Sequence, residues 1–546
     1  MKPNALIRPR PPDANANADA WRRRYGDGNK RVYGITAFVS LGALLFGYDQ
    51  GVMGVIIADR RFLDLMRPQS AWVTGAIVSL YDIGCLLGAL SIGFLADRIG
   101  RERTLAVATL VFNLGAVLQA ASYSVSQIII GRIVLGIGVG ICAGGVPLYI
   151  GEIAPAKLRG RIVGIEQMIL CLGELIAFWL NYGFAMLPSA HWWRIPLAIQ
   201  VLPAGVLGVG CWLYVPPSPR WLVDQGRPEC AREVLTRLHG SEAADRSLRE
   251  IRESIRFQKT VAERARWVEL FRRPVLRVTL LGMGVQFFQQ ITGTCSIIYY
   301  LPHIFAAGGI SNPRTQNLLN GTVGIVLFLS AWIPIFLFDR LGRRTWLRLG
   351  CIGMAVAMIG IAVFQRNAAR HPESSSTNIV IVIFPYLFYT CFNATWGVGS
   401  WLYASEIWPI RYRAKGNGVT TATLWLGTFC VAQLSPVVFE RVGWGLYAGY
   451  AGLCGLAYLF VQFCMVETRG RSLEDMSRLF GIDDGLRLRR RRTILRRQDR
   501  EHNDDGLEQS FSTDKPEASV SMSATTTNTS MPKIASPSST TQYVRA

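Results

Sequence analysis

The sequence predicts an all-α, polytopic membrane protein: twelve transmembrane helices in two pseudo-symmetric six-helix bundles. Three observations lead there. Apolar runs long enough to cross a bilayer recur along most of the chain, basic residues gather in alternate loops, and short charged motifs repeat between the two halves. The composition agrees. Of 546 residues, 50% are hydrophobic and 17% charged, against about a quarter charged in an average soluble domain. Each run is close to the ~20 apolar residues that a spanning helix needs. The 54 glycines suit helices that pack backbone to backbone in lipid.

Spans are expected near 35–57, 73–96, 104–121, 126–150, 163–186 and 194–214, and again near 278–305, 321–338, 347–364, 379–404, 417–439 and 446–465. The domains follow: a cytoplasmic tail over 1–32, a first bundle over 33–214, a cytoplasmic helical linker over 215–277, a second bundle over 278–466, and a cytoplasmic, largely disordered tail over 467–546. Arg22, Arg23, Arg24, Lys30 and Arg31 precede the first span. Arg98, Arg101 and Arg103 follow the second, Lys157, Arg159 and Arg161 the fourth, Arg340, Arg343, Arg344 and Arg348 the eighth, and Arg411, Arg413 and Lys415 the tenth. All of these fall on one face, which the positive-inside rule assigns to the cytoplasm together with both termini. Arg60, Arg61 and Arg67 run against the trend. The first thirty residues hold no apolar core of a cleavable signal, so the first span is read as a retained one.

The net charge of +21 reads as membrane topology rather than nucleic-acid binding, because the cations sit in loops and tails. The eleven cysteines form no Cys-x-x-Cys pair, so neither zinc nor a disulfide framework is indicated. No Gly-x-x-x-x-Gly-Lys-Ser/Thr loop is present to hold ATP. No nucleophile–base pair or metal cluster marks an enzyme, and no cofactor is called for.

The repeat carries the most information. Asp97-Arg98-Ile99-Gly100-Arg101 follows the second span and Asp339-Arg340-Leu341-Gly342-Arg343 the eighth. Glu152-x-x-Pro155-x-x-x-Arg159 follows the fourth, and Glu406-x-x-Pro409-x-x-x-Arg413 the tenth. Ser218-Pro219-Arg220 and Glu467-Thr468-Arg469 close the two sets. Two matched six-span halves can rock about a midplane site. The gating candidates are therefore Asp97, Arg101, Glu152, Arg159, Asp339, Arg343, Glu406 and Arg413, whose carboxylate–Arg pairs can hold the cytoplasmic ends together in one state and part in the other.

Two intramembrane charges stand apart. Asp49 lies deep in the first span and Arg132 opens the fourth, and such residues are costly in hydrocarbon and usually paired and functional. Asp82 in the second span is a further candidate for proton binding. For a solute rich in hydroxyls, amide side chains both donate and accept and flat rings cover an apolar face. Gln167, Gln289, Gln290, Trp401 and Trp425 meet that description, and Tyr299 and Tyr300 are placed to close the outer side over the solute. Glu174 shares a helix face with Gln167.

At these residues the chain resembles the sugar porter family of the major facilitator superfamily over roughly 33–480, with a fungal flavour in Phe46-Gly47-Tyr48-Asp49-Gln50-Gly51. Gly131-Arg132, Gln289-Gln290-Ile291-Thr292-Gly293, Tyr299-Tyr300 and Trp401-Leu402-Tyr403-Ala404-Ser405-Glu406-Ile407-Trp408-Pro409 carry the likeness. The resemblance implies sugar contacts at Gln167, Gln289, Gln290, Trp401 and Trp425. It also implies proton uptake at Asp49 with Arg132 as counter-charge, hence sugar–proton symport through a monomeric unit in the plasma membrane. A proton-independent facilitator, a carrier of polyols or related polyhydroxy solutes, and a transporter-like nutrient sensor are the alternatives. Four departures stand out. Gly100-Arg101-Glu102-Arg103 replaces Gly-Arg-Arg, Pro217 replaces the Glu of Pro-Glu-Ser-Pro-Arg, and Val466 replaces a Pro. Cys295 stands where many members have a sugar-contacting Asn, and a thiol is the weaker hydrogen-bonding group.

Overall fold

A computed structural model describes the chain from Gly28 to Ile482, apart from residues 155–158, 262–265, 311, 335, 337–340, 372–374, 410 and 470–478. The expectations for the remote parts of both tails lie outside the described residues.

Among the described residues, twelve helical units cross the fold. The first is Gly28–Val39 continued by Leu41–Ala58. The second to fifth are Ala71–Ile99, Arg101–Ala120, Val125–Ile153 and Arg159–Ala185, and the sixth is Arg194–Ile199 with Val201–Leu213. The seventh is Val275–Ile291 followed by Thr294–Ala307, and the eighth is Pro313–Ser330. The ninth is Arg343–Arg370. The tenth joins Ser375–Phe392, a π turn at Asn393–Gly397 and Val398–Glu406. Arg413–Val442 and Gly445–Phe463 complete the set. Among the described residues, ten are long and apolar enough to cross a membrane on those grounds alone. The seventh falls short because it is cut into pieces of 17 and 14 residues. The eighth falls short because its first turns carry Arg314, Gln316 and Asn317 behind the Asn312 cap.

Helix pairing repeats between the halves. In the first, the fourth helix packs on the second and third, the first on the fifth, and the third on the sixth. In the second, the tenth packs on the eighth and ninth, the seventh on the eleventh, and the ninth on the twelfth. The halves meet along two seams, second against eleventh and fifth against eighth. Exchanging the halves turns each seam into the other, which is how a pseudo-twofold bundle behaves.

Glycine permits the tightest of these contacts. A Cβ on Gly84 would lie 2.2 Å from the Ile133 carbonyl oxygen, on Gly136 2.2 Å from that of Tyr81, and on Gly140 2.1 Å from that of Cys85. The second and fourth helices thus touch backbone to backbone. Gly140→Ala is expected to destabilise the carrier by about 1–3 kcal/mol, the usual effect of overfilling a packed core. Thermal unfolding in detergent measures it, with lipid-facing Gly93, which has nothing within 4 Å of an added Cβ, as the tolerant control.

Between the halves, Pro219–Asp224, Pro228–His239 and Ser241–Val261 form a small helical cap with its own core of Leu222, Ala231, Leu235, Ala244 and Leu248. It is fastened to the Arg-rich face: Trp221 Nε1 donates to the Asp97 carbonyl at 3.0 Å, and Arg31 Nη1 to that of Arg237 at 2.9 Å. On the far face, the discordant Arg61 is neutralised by Asp59 at 2.8 Å and donates to the Ala185 and Leu187 carbonyls.

Candidate functional site

Midway through the bundle a cavity opens between the halves, with about 680 Å³ of empty space when the solvent at its mouth is counted. The first helix gives it Phe46 and Gln50. The fifth gives Gln167, Cys171 and Glu174, spaced i, i+4 and i+7 on one face. The seventh supplies Gln289, Gln290, Thr294 and Cys295, the tenth Tyr389, Asn393, Gly397 and Trp401, and the eleventh Leu424, Trp425 and Thr428.

Two local breaks shape this wall. Gly293, at φ 94°, ends the first piece of the seventh helix in a left-handed turn, a conformation that suits glycine. The turn folds Cys295 back so that its thiol donates to Gln290 Oε1 at 3.3 Å. The π turn of the tenth helix frees carbonyls, and Gln289 Nε2 donates to those of Trp396 and Gly397 at 3.2 and 3.4 Å. Gln289 Oε1, Glu174 Oε2, Thr294 Oγ1 and Trp425 Nε1 remain buried with no hydrogen-bond partner among the described residues. These are acceptors and donors held ready around one space.

Of the residues singled out for solute contact, Gln167, Gln289, Gln290, Cys295, Trp401 and Trp425 all line the cavity. Tyr299 does not, which corrects its place in the binding set. The turn at Gly293 resets the helical phase, so Tyr299 lies fully buried behind the cavity, in electrostatic reach of Arg132 and Asp49. Asn393 was missed, although an Asn in an apolar run was a signal in plain view. Its amide donates to the Leu327 carbonyl at 2.8 Å, Ser330 Oγ at 3.2 Å and Cys171 Sγ at 3.3 Å, and accepts from Gln167 at 3.4 Å, so it bridges the halves.

The cavity is closed more firmly toward the far face. There Gly54 abuts the carbonyls of Ile298 and Tyr299, leaving 2.9 and 3.0 Å for a Cβ. Ser79 Oγ donates to Gln433 Oε1 at 2.6 Å, and Gln433 Nε2 to the Trp72 carbonyl at 2.9 Å. Toward the Arg-rich face the halves meet through the rings of Phe46 and Trp425, tilted at 5.6 Å.

Beside the cavity, next in sequence to Gln50, Asp49 pairs with Arg132. Nη1 reaches both carboxylate oxygens, at 2.8 and 2.6 Å, and both side chains are fully buried. The guanidinium lies 4.4 Å from the centre of the Tyr81 ring, and donates through Nε to the Ile77 carbonyl at 3.2 Å and through Nη2 to that of Val78 at 3.3 Å.

The repeated charge motifs assemble alike in each half. Arg101 binds Glu152 at 3.0 Å and Asp97 at 3.1 Å, and Arg343 binds Glu406 at 3.0 Å. Ser218 Oγ donates to Glu152, and Thr468 Oγ1 to Glu406 at 2.6 Å. Asp339 and the side chain of Arg159 lie outside the described residues, and Arg413 is exposed at the start of the eleventh helix. Glu467 accepts from the backbone N–H of Arg343 at 2.9 Å and of Arg344 at 3.1 Å. Burial pushes its carboxyl up, but the N–H groups of Arg343, Arg469 and Arg344 and the nearby Arg343 charge outweigh that and hold it below the usual range. The first half lacks this Glu, having Pro217, and its Glu102 fills the gap. A Cβ on Gly100 would meet Glu102 Oε1 at 2.9 Å, as one on Gly342 would meet Glu467 Oε2 at 3.0 Å. Two departures from the family pattern thus offset each other in space, and each half keeps a carboxyl group against the glycine that precedes its helix.

The sequence model of the family described as "Sugar (and other) transporter" matches residues 35–480. The chain is 34% identical over 452 residues to the MFS-type transporter criB of Aspergillus cristatus, covering 82% of this chain and 92% of that one. It is 32% identical over 443 residues to the D-xylose transporter of Levilactobacillus brevis, covering 80% and 93%. Among solved structures, the proton:xylose symporter XylE of E. coli bound to 6-bromo-6-deoxy-D-glucose superposes with a TM-score of 0.69 at 27% identity, over 83% of this chain and 100% of that chain.

Proposed function

This chain belongs to the sugar porter family of the major facilitator superfamily, and from there we propose that it carries a neutral monosaccharide, a hexose in the first instance, by alternating access coupled to a proton. The observation that carries the reading is the set of four orphaned polar atoms around the cavity, on Gln289, Glu174, Thr294 and Trp425. A polyhydroxy ring can satisfy acceptors and donors together, and the flat faces of Trp401 and Trp425 match its apolar side. Gln167 and Gln290 complete the hydrogen-bonding wall. The buried Asp49–Arg132 pair beside Gln50 supports proton coupling, since an intramembrane ion pair at a solute site has the makings of a switch.

In this reading the 33–214 and 278–466 halves rock against each other, and the Arg-rich face is cytoplasmic, as the loop charges require. The Arg101–Glu152 and Arg343–Glu406 groups each close within one half, so they brace the helix ends that move as its gate, with Asp97, Arg159, Asp339 and Arg413 as members of the same motifs. The unit works as a monomer in the plasma membrane. The protein is then closed to the outside and faces inward, because its strongest contacts between halves lie on the far face. A pentose is the second reading, favoured by Cys295: its thiol is already engaged with Gln290 and offers a solute less than an amide would. A radiolabelled uptake panel in a transport-null host, with and without a protonophore, tests both. Accumulation of D-glucose or D-xylose that collapses with the protonophore is the expected result.

The charge of the wall sharpens the prediction. Among the described residues no basic side chain lines the cavity, so an anionic solute would meet no counter-charge, and a buried unpaired charge is strongly disfavoured. A sugar acid is therefore expected to compete at least about tenfold more weakly than its parent sugar, equivalent to ~1.4 kcal/mol, as read by competition against labelled sugar.

A further inference from the structure

Asp82 lies on the second helix, fully buried, with neither carboxyl oxygen hydrogen-bonded to any described residue. It stands one helical turn from Val78, whose carbonyl accepts from Arg132 Nη2. Residues four apart share a helix face, and a helical side chain leans back toward the preceding turn. Asp82 is therefore directed toward the Nη2 side of the guanidinium, where the Val78 carbonyl is the one hydrogen-bond acceptor among the described residues. Its charged neighbours are Arg132 and Asp49. Tyr81 and Cys85 flank it on its own helix, and Cys295, Tyr299 and Tyr300 face it from the seventh. The third and eleventh helices, which also pack on the second, add no charge to that set among the described residues.

The position answers an electrostatic difficulty. If Asp49 alone took the transported proton, Arg132 would be left as an unpaired buried cation, among the costliest states a protein interior can hold. We propose that Asp82 is the second carboxylate of the proton site: Asp49 and Asp82 share one guanidinium and one proton, so that whichever carboxyl is protonated, the other balances Arg132. In the arrangement seen here Asp49 holds the guanidinium and Asp82, a buried carboxyl without a donor, carries the proton. In the opposite state the O–H bond on Asp82 breaks, one forms on Asp49, and Arg132 turns to Asp82. With its proton the cluster is neutral and can cross the dry state. Without it the cluster is anionic and waits for water.

This rests on the proton-symport reading, and the test separates the two. Infrared difference spectra of the full chain in liposomes, wild type minus Asp82→Asn at neutral pH, are expected to show a protonated-carboxyl C=O band. Uptake of D-xylose or D-glucose, whichever the wild type accumulates, is then followed against external pH. Asp82→Asn is expected to need at least tenfold more protons for half-maximal uptake, a shift of one pH unit or more toward acid, and Asp82→Glu to recover most of it. Absence of the band overturns the proposal. So does an unmoved pH midpoint in a carrier whose uptake a protonophore abolishes, and so does a Glu variant no better than Asn. A wild type indifferent to both pH and protonophore fells the symport reading, and the coupling role of Asp82 with it, even if the band is present.

Discussion

Asp49→Asn is expected to abolish uphill accumulation while leaving solute exchange down a gradient. One proton crossing ~100 mV supplies ~2.3 kcal/mol, and a pH difference of one to two units adds ~1.4–2.7 kcal/mol. Together they sustain roughly a 10³-fold concentration ratio at ~1.4 kcal/mol per decade. Asn keeps the shape of Asp but cannot take a proton, so the ratio should fall from about 10³ to about 1. The cavity does not depend on Asp49 for any wall residue, so labelled sugar should still exchange against unlabelled sugar inside the vesicle. Full accumulation by Asp49→Asn in energised vesicles would remove Asp49 from the proton path. In the symport reading the coupling resides in the change of partner: Arg132 holds Asp49 in one state and relaxes that hold in another, because only a differential interaction shifts an equilibrium.

Gln290→Ala should weaken apparent sugar affinity by about 5–150-fold, the equivalent of ~1–3 kcal/mol for a hydrogen-bonding partner lost in a buried site. The side chain lines the cavity, accepts from Cys295, and packs where a Cβ on Gly427 would touch it. Its removal therefore takes away an amide and the oxygen to which the Cys295 thiol donates. KM from initial uptake rates is the readout. An unchanged KM would move the sugar away from the seventh helix. Gln289→Ala would be the poorer test, because Gln289 also holds the π turn of the tenth helix and its loss would confuse shape with contact.

Much of this was legible in the chain because lipid imposes a single rule. Every backbone group must be paired within its own helix, so apolar runs and Arg-rich loops announce the spans. The misjudged places are those where that rule is bent. The eighth helix begins at Pro313 rather than near residue 321, since its polar first turns are invisible to hydropathy. The seventh reads as one run in sequence, yet turns at Gly293, and beyond that turn Tyr299 lies buried behind the cavity wall rather than on it. Asn393 sits at the head of a π turn, a feature with no composition of its own. Glu102 looked like a defect in its motif until Gly100 and Gly342 were seen to cradle equivalent carboxylates.

The break at Gly293 has a kinetic consequence. It divides the seventh helix into an inner part that bears Gln289 and Gln290 and an outer part that bears Tyr299 and meets Gly54. The amides can hold a guest while the outer part is still swung away, so capture and enclosure become successive events with rate constants of their own. A sugar derivative bulky only on its outward side would then be grasped normally and never swallowed: a competitive blocker that the carrier cannot turn over.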